Sequence, residues 1–423
     1  MEPIRKSLEF FIRKKWLGPL AVFILFYAVG ISTLYRGAIG PTQRTDLTVY
    51  LKAAEMVQIG NPGHMYGIEN SRHWHYVYSP LLAILLAPLA TWPIAINVIL
   101  AYFLSLACLT GAIILSRYFT DRPETAPWQI ALAGVFCLPL FLNTLTRGQL
   151  SVFILFFEVL IFYCYLKNWK ILTGLFFSFI VAIKISPLAF LFFFFLIKKK
   201  WKILISALLG FLFFFFIFPS LVLGVDVNWR LLTTWQDLMA QGSSAQAYNS
   251  YLWNELFTPF ASDNQSLYAI LTRLCGPSEA NFMNASNAGI RFIASAFGIL
   301  LLILLFLKKL PSMSSPRHDR VKLLAEYSLY PMVMLIASPV SSLHHYTVLY
   351  LLFLATLFLI EQQPHGSSRR VWLITGLWSC AFLLFAGYVI RFLKYVGSPL
   401  WGSLFLCGIV FFCLNSDKKQ KPS

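Results

Sequence analysis

A few short stretches of this sequence carry side chains that could do chemistry, some in polar segments and some at the joins and breaks of apolar runs. The first is Thr45-Asp46-Leu47-Thr48-Val49-Tyr50, after which Leu51, Ala54 and Val57 are spaced like one face of an interfacial helix. A carboxylate held at that point is a candidate general base towards a hydroxyl. The plain alternative is an Asp that stabilises the start of a helix. In Tyr76-Val77-Tyr78-Ser79-Pro80 an aromatic-rich loop enters an apolar helix with Pro in its first turn, so Tyr78 is either a ligand-facing phenol or part of an aromatic belt. Arg147-Gly148-Gln149 joins two apolar runs; Arg147 and Gln149 could hold a phosphate or sugar hydroxyls, and a snorkelling arginine is the alternative.

Lys184 stands alone between the uncharged runs Ile171–Ile183 and Ile185–Ile197, with Pro187 just beyond it. A lysine at membrane depth is costly, and a helix break frees backbone amides there, so a buried phosphate is the natural counterpart. The competing reading pairs it with an acid remote in sequence, such as Glu158 or Glu326. Asn264-Gln265-Ser266, followed by Arg273, says little alone. Ser338-Pro339 leads to the pair His344-His345, which could bind a metal, relay protons or hydrogen-bond a phosphate. Adjacent helical positions do not face each other, so one functional and one structural histidine is the expectation.

The elements that must position these residues are membrane helices. Of 423 residues 58% are hydrophobic and 12% charged, and mean hydropathy is +0.69. A soluble chain of this length would carry about a quarter charged residues. The runs Ile203–Leu223, Phe292–Leu307 and Val371–Ile390 contain no charge, and a bilayer core needs about 20 such residues per helix. They lack the alternation of barrel strands, so the fold class is an all-α polytopic integral membrane protein.

Apolar segments lie near 80–91, 94–116, 128–145, 150–166, 171–197, 203–223, 288–307, 321–337, 343–360, 371–390 and 397–414, after a first span at about Leu17–Tyr35. With that first span they amount to roughly ten or more crossings. Residues 1–16 form a basic amphipathic cytoplasmic segment, 17–414 the membrane domain, and 415–423 a polar tail. Two polar segments interrupt the domain, 36–79 opposite the basic N-terminus and 224–287 with Trp229, Trp235, Tyr248, Tyr251 and Trp253, which suit an interfacial helix or lid. Segment 171–197 is either one kinked span or a pair of helices turning inside the membrane, and the side on which 143–149 lies follows from that choice.

Lys+Arg total 34 against 17 Asp+Glu, but the basic residues flank apolar runs, so membrane lipids rather than nucleic acid are the implied partner. The seven cysteines show no paired spacing and read as core residues. There is no GxxxxGK[ST], GxGxxG or DxD motif for a nucleotide, so an activated group would come from a lipid carrier.

Taken in order, these pieces resemble the pattern of glycosyltransferase family 87. That pattern has an Asp before Tyr-x-x-Ala-Ala, a Gly and a Tyr in the loop, and Tyr-x-Pro entering a helix that ends in Ala-Pro-Leu. Here these are Asp46, Tyr50, Ala53, Ala54, Gly60, Tyr66, Tyr78, Pro80 and Ala87-Pro88-Leu89. Gly148-Gln149, Gly174, Lys184-Ile185-Ser186-Pro187, Asn264-Gln265-Ser266, Ser338-Pro339 and His344-His345 continue it over roughly residues 40–350. Ser79, where Pro is common, and Ser342, where Trp often precedes the histidines, depart from it.

The resemblance implies a GT-C-type bundle of about 10–13 transmembrane helices in a cell membrane, the bacterial inner membrane in the first instance. It implies transfer of a sugar, mannose above all, from a polyprenyl-phosphate donor to a lipid or glycan hydroxyl acceptor, with inversion and on the extracytoplasmic face. Asp46 would be the base. Lys184, Arg147, Gln149, His344, His345, Tyr78, Asn264, Gln265 and Arg273 would serve the donor phosphate or the sugar, with no metal and no cofactor. The alternative is a transporter or flippase of a lipid-linked sugar, against which stand the size of the polar segments and the lack of a matching half-repeat.

Overall fold

A computed structural model describes residues 17–40, 43, 45–67, 74–122, 126–241, 258–277, 285–307 and 319–415. The basic segment 1–16, the aromatic residues Tyr248, Tyr251 and Trp253, and the tail beyond Asn415 lie outside the described residues.

Among the described residues every regular element is a helix: α1 (Leu17–Leu34), α2 (Leu47–Gln58), α3 (Pro80–Leu86), α4 (Ile94–Ser116), α5 (Ala126–Phe136), α6 (Leu138–Arg147), α7 (Ser151–Leu166), α8 (Lys170–Ile183) and α9 (Leu191–Ile197). Then come α10 (Trp201–Leu223), which contains a widened turn at Leu212–Ile217, α11 (Val225–Gln241), α12 (Leu267–Cys275), α13 (Asn287–Leu307) and α14 (Asp319–Ala337). The chain ends with α15 (Leu349–Gln362), entered by a tight turn at Leu343–Val348, α16 (Ser368–Val389), α17 (Arg391–Tyr395) and α18 (Ser398–Asn415). The protein is an all-α polytopic membrane protein.

Among the described residues five helices are long and apolar enough to cross a bilayer: Ile94–Phe119, Trp201–Leu223, Asn287–Leu307, Leu343–Gln362 and Ser368–Val389. The pair α5–α6 makes a sixth if counted as one span bent by 60°; Pro139 in the first turn of α6 brings no N–H to bond across the break. Five further apolar helices are shorter, and the roughly ten crossings read from the sequence would have to draw on them. The window of Leu343–Gln362 is wholly buried, whereas that of Trp201–Leu223 is 33% buried, so α15 is the central helix and α10 faces lipid. Phe136 of α5 packs on Phe353 of α15 and Phe141 of α6 on its Tyr350, and Tyr327 and Tyr330 of α14 and Phe162 of α7 belong to the same buried cluster. Apolar burial of this density, rather than polar pairing, fixes the bundle's centre.

Segment 171–197 resolves into the pair reading. α8 ends at Ile183, the chain turns through 184–190, and α9 returns to Lys198. Lys170 at the start of α8 and Lys200 after α9 line one small cavity, so both ends of the pair lie at the same end of the bundle. Residues 147–149 lie with the Asp46 loop, because Asp46 N–H donates to the Arg147 carbonyl at 2.9 Å.

The bundle therefore has two chemically different ends. Helices α6, α8 and α14 reach the Asp46 end at Arg147, Lys184 and Ser338. At the other end α7, α9, α14 and α15 present Lys167, Lys198, Arg320 and Glu361. There Lys198 pairs with Glu326 at 2.7 Å, Arg320 with Asp121 at 3.6 Å and Arg122 with Glu361 at 3.7 Å.

Candidate functional site

At the Asp46 end the chain leaves a cavity of about 480 Å³. Asp46, Tyr78, Arg147, Gln149, Lys184, Asn264, His344 and His345 all line it. These residues come from widely separated stretches of the sequence, and local geometry places each.

Thr45 and Asp46 are held against the end of α6. The Thr45 hydroxyl donates to the Arg147 carbonyl at 3.1 Å, beside the Asp46 N–H bond to the same oxygen. Asp46 stands at the start of α2, but its side chain makes no capping hydrogen bond to that helix. Its Oδ1 instead lies 4.0 Å from an Arg147 guanidinium nitrogen, and that guanidinium sits 5.7 Å from the ring of Trp74.

The contact between loop and helix depends on Gly148. This residue closes α6 with φ +63, and Gln149 N–H bonds the Thr144 carbonyl at 3.1 Å, the αL closure that favours glycine. A Cβ on Gly148 would stand 2.5 Å from the Thr45 hydroxyl. Gly148→Ala is therefore expected to push the Asp46 loop away from Arg147. A misplacement of about 1 Å at a reacting centre costs on the order of 100-fold in rate, while the strain itself costs about 1–2 kcal/mol. Turnover and melting temperature measured together check this: activity should fall far more than stability, and near-normal turnover would contradict the geometry.

Tyr50, one helical turn beyond Asp46, joins the wall to its neighbours. Its hydroxyl is 3.1 Å from that of Tyr78 and 3.4 Å from Gln149 Oε1, to which it donates. Burial, then the mutual proximity of the two phenols, pushes Tyr50 well above its ordinary value; burial does the same to Tyr78. Both therefore stay protonated and act as donors. Tyr66 donates to the Tyr78 carbonyl at 3.0 Å, and the Trp235 indole of α11 donates to the Val77 carbonyl at 3.1 Å.

Lys184 is extended where α8 stops, and its ammonium lies 5.4 Å from the centre of the Tyr78 ring. The Ser79 hydroxyl donates to the Ala182 carbonyl, tying the start of α3 to the end of α8 beside it. Neither acid considered from sequence neutralises Lys184. Glu326 pairs with Lys198, Glu158 is fully buried in the bundle, and among the described residues no carboxylate lies within 4 Å of the Lys184 amine.

The histidines arrive on the turn before α15, with rings 4.3 Å apart. His345 Nδ1 accepts from the Ser342 N–H at 3.2 Å, which leaves its remaining proton on Nε2. That assigns the neutral His345 as a donor at the cavity. Among the described residues no three His, Cys, Asp or Glu side chains gather as a metal-binding group.

Asn264, Gln265 and Arg273 divide differently from the sequence expectation. Asn264 lines the cavity, but its amide is spent on the frame: Oδ1 accepts from Ser266 and Ser341 N–H, and Nδ2 donates to the Pro339 carbonyl. Gln265 and Arg273 do not line the cavity. Gln265 donates to the carbonyls of Ser262 and Lys394, and Arg273 to those of Tyr395, Pro259, Ala261 and Asn264. A buried guanidinium with that many carbonyl partners organises a loop. The cavity also takes in Ser186 of the Lys184-Ile185-Ser186-Pro187 break, and Trp74, His75 and Asp263, which the sequence reading did not single out; no spacing or motif marks those three.

The family model for glycosyltransferase family 87 matches residues 76–339, more than half of the chain. No curated protein and no solved structure matches it. Tyr78, Arg147, Gln149, Lys184 and Asn264 fall inside the matched span. Asp46 and the histidine pair fall outside it and join it through the fold, Asp46 by its bond to Arg147 and the histidine turn by the Tyr346 hydroxyl, which donates to the Gln265 carbonyl at 2.7 Å.

Proposed function

The chain belongs to glycosyltransferase family 87 and is a membrane glycosyltransferase, and from that premise we propose that its donor is a polyprenyl-phosphate sugar. The sugar is mannose, the architecture is of the GT-C type, and the acceptor is a lipid or glycan hydroxyl. The observation that carries this reading is the cavity itself: the Asp46 carboxylate and the Lys184 amine, which has no carboxylate within 4 Å among the described residues, come from separate stretches of the chain to face the same 480 Å³ space.

Asp46 takes the proton of the acceptor hydroxyl as its oxygen attacks the sugar C1, and the bond from C1 to the carrier phosphate breaks with inversion. Negative charge grows on the leaving phosphate, so cations and N–H donors aimed there act where they matter most. Lys184, Arg147 and His345 Nε2–H fill that part. Gln149 and the Tyr50–Tyr78 pair offer hydrogen bonds to sugar hydroxyls, and Arg147 also orients the Asp46 carboxylate. The apolar lining at Ile183, Leu238 and Met334 suits the first units of a prenyl chain.

Proteoliposomes loaded with sugar-labelled donor test the reading against a transporter. Label should move to the acceptor while polyprenyl phosphate is freed; intact carrier changing leaflet with its sugar still attached would favour transport.

The active cavity faces the extracytoplasmic side on this account. Lys167, Lys198, Lys199, Lys200, Arg320, Arg369 and Arg370 gather at the opposite end, as the positive-inside tendency requires of a cytoplasmic face. Asn61 is exposed on the turn after α2, at the cavity end. Asn61→Cys should react with an impermeant thiol reagent on intact cells or spheroplasts, above the wild-type background. Labelling only after the membrane is opened would reverse the orientation.

A further inference from the structure

The basic end of the bundle carries a second cavity, of about 130 Å³, remote from the first. It is lined by Tyr165, Leu166, Asn168, Lys170, Thr173, Lys200 and Ile203. Two turns of the same kind build it. Asn168 and Lys199 both take positive φ, +61 and +52. Each turn is closed by a bond from the next residue back across the helix end, Trp169 N–H to Cys164 and Lys200 N–H to Phe195, both at 2.9 Å. The turns bring Lys170 and Lys200 to one space, with the Lys200 amine 5.5 Å from the Tyr165 ring.

The nearby carboxylate of Glu326 is engaged by Lys198, and among the described residues neither Lys170 nor Lys200 has an acid within 4 Å. Burial first, then the charges of Lys170 and Lys198, lower the Lys200 amine from its ordinary value. Helices α8 and α10 also run side by side in the same direction from this point: Ser206 donates to the Ile171 carbonyl at 2.8 Å, and further along Phe177 packs on Phe211 with ring centres 5.7 Å apart. Their two N-terminal dipole ends add to the positive field. Trp169, Ile171, Leu172, Trp201 and Ile205 are exposed around the cavity, the mix of indole and aliphatic side chains that sits at a membrane interface.

We propose that this cavity binds the phosphate of an anionic phospholipid headgroup, with the acyl chains lying along the exposed apolar faces of α8 and α10. The amines supply the charge and the surrounding tryptophans place the site at headgroup depth, where a free anion has no such surroundings.

Native mass spectrometry of the purified protein, titrated with short-chain phosphatidylglycerol, tests this. Wild-type protein should bind phosphatidylglycerol in preference to phosphatidylcholine. Lys170→Gln with Lys200→Gln should weaken binding about 30-fold, two lysines at their usual worth near an anionic surface. Lys199→Gln with Lys202→Gln changes the net charge equally but touches no cavity-lining residue, and should keep most of the affinity. Equal losses in both pairs would reduce the effect to diffuse charge and overturn the site. Inorganic phosphate displacing the lipid at equal concentration would identify a free-anion site and overturn the lipid assignment. Should the first pair fail to fold, the wild-type comparison of the two lipids still decides, since absence of a preference contradicts the proposal.

Discussion

Asp46→Asn is expected to retain folding and donor binding while losing at least 99% of turnover. Removing a positioned general base costs about 100- to 10,000-fold, and the amide is isosteric with the carboxylate. The Thr45 and Asp46 main-chain contacts to the Arg147 carbonyl do not involve the replaced group. Because Asp46 does not cap α2 through its side chain, the variant should melt close to wild type. A merely structural aspartate predicts the opposite pattern, lower stability with turnover per folded molecule preserved. Near-normal turnover in the folded variant would remove Asp46 from the chemistry.

The second large effect is expected at Lys184. Its amine rests near the Tyr78 ring at 5.4 Å, among the described residues no carboxylate lies within 4 Å of it, and the Asp46 carboxylate acts on it only across the cavity; on the proposed reading the anion it serves is the donor phosphate. Lys184→Met keeps an unbranched apolar stem and removes the charge. A hydrogen bond to a charged group is worth about 1.5–3 kcal/mol, so donor affinity should fall roughly 10- to 100-fold while the melting temperature changes little. Had Lys184 neutralised a buried acid, the same variant would strand that acid and destabilise the protein by about 3–5 kcal/mol. Lys184→Arg should also bind donor poorly, since the planar fork cannot occupy the ammonium's position over Tyr78. Unchanged affinity with a large fall in melting temperature would defeat the phosphate assignment.

The sequence showed the membrane helices because lipid demands long uncharged runs, and it located the break at Lys184-Ile185-Ser186-Pro187 because Pro187 and a lone lysine stand out against Ile171–Ile197. It left undecided whether that break was a kink or a hairpin. Only tertiary packing, which places Lys170 and Lys200 at one cavity, decides it. Arg147 and Lys184 were visible as charges beside or within apolar runs and Asp46 as an acid ahead of a helix, yet their convergence was not, since local spacing carries no information about contacts across a hundred residues. Gly148 was visible as a hinge between two runs, but its reason, room for the Thr45 hydroxyl, belongs to the fold. Gln265 and Arg273 show the converse failure. Their residue types suit a sugar or a phosphate, and the structure spends them on carbonyls of the Pro259–Asn264 loop and of α17. Trp74 and His75 lack periodic or motif context, so nothing in the sequence separated them from other loop residues.

The most direct test of the donor assignment offers the purified protein two mannose sources side by side, polyprenyl-phosphate-mannose and a nucleotide-linked mannose, each labelled in the sugar. The account predicts that the lipid-linked sugar alone is consumed, with polyprenyl phosphate released in step with the glycosylated product and neither formed by Asp46→Asn. Consumption of the nucleotide sugar with the lipid-linked one untouched would contradict it.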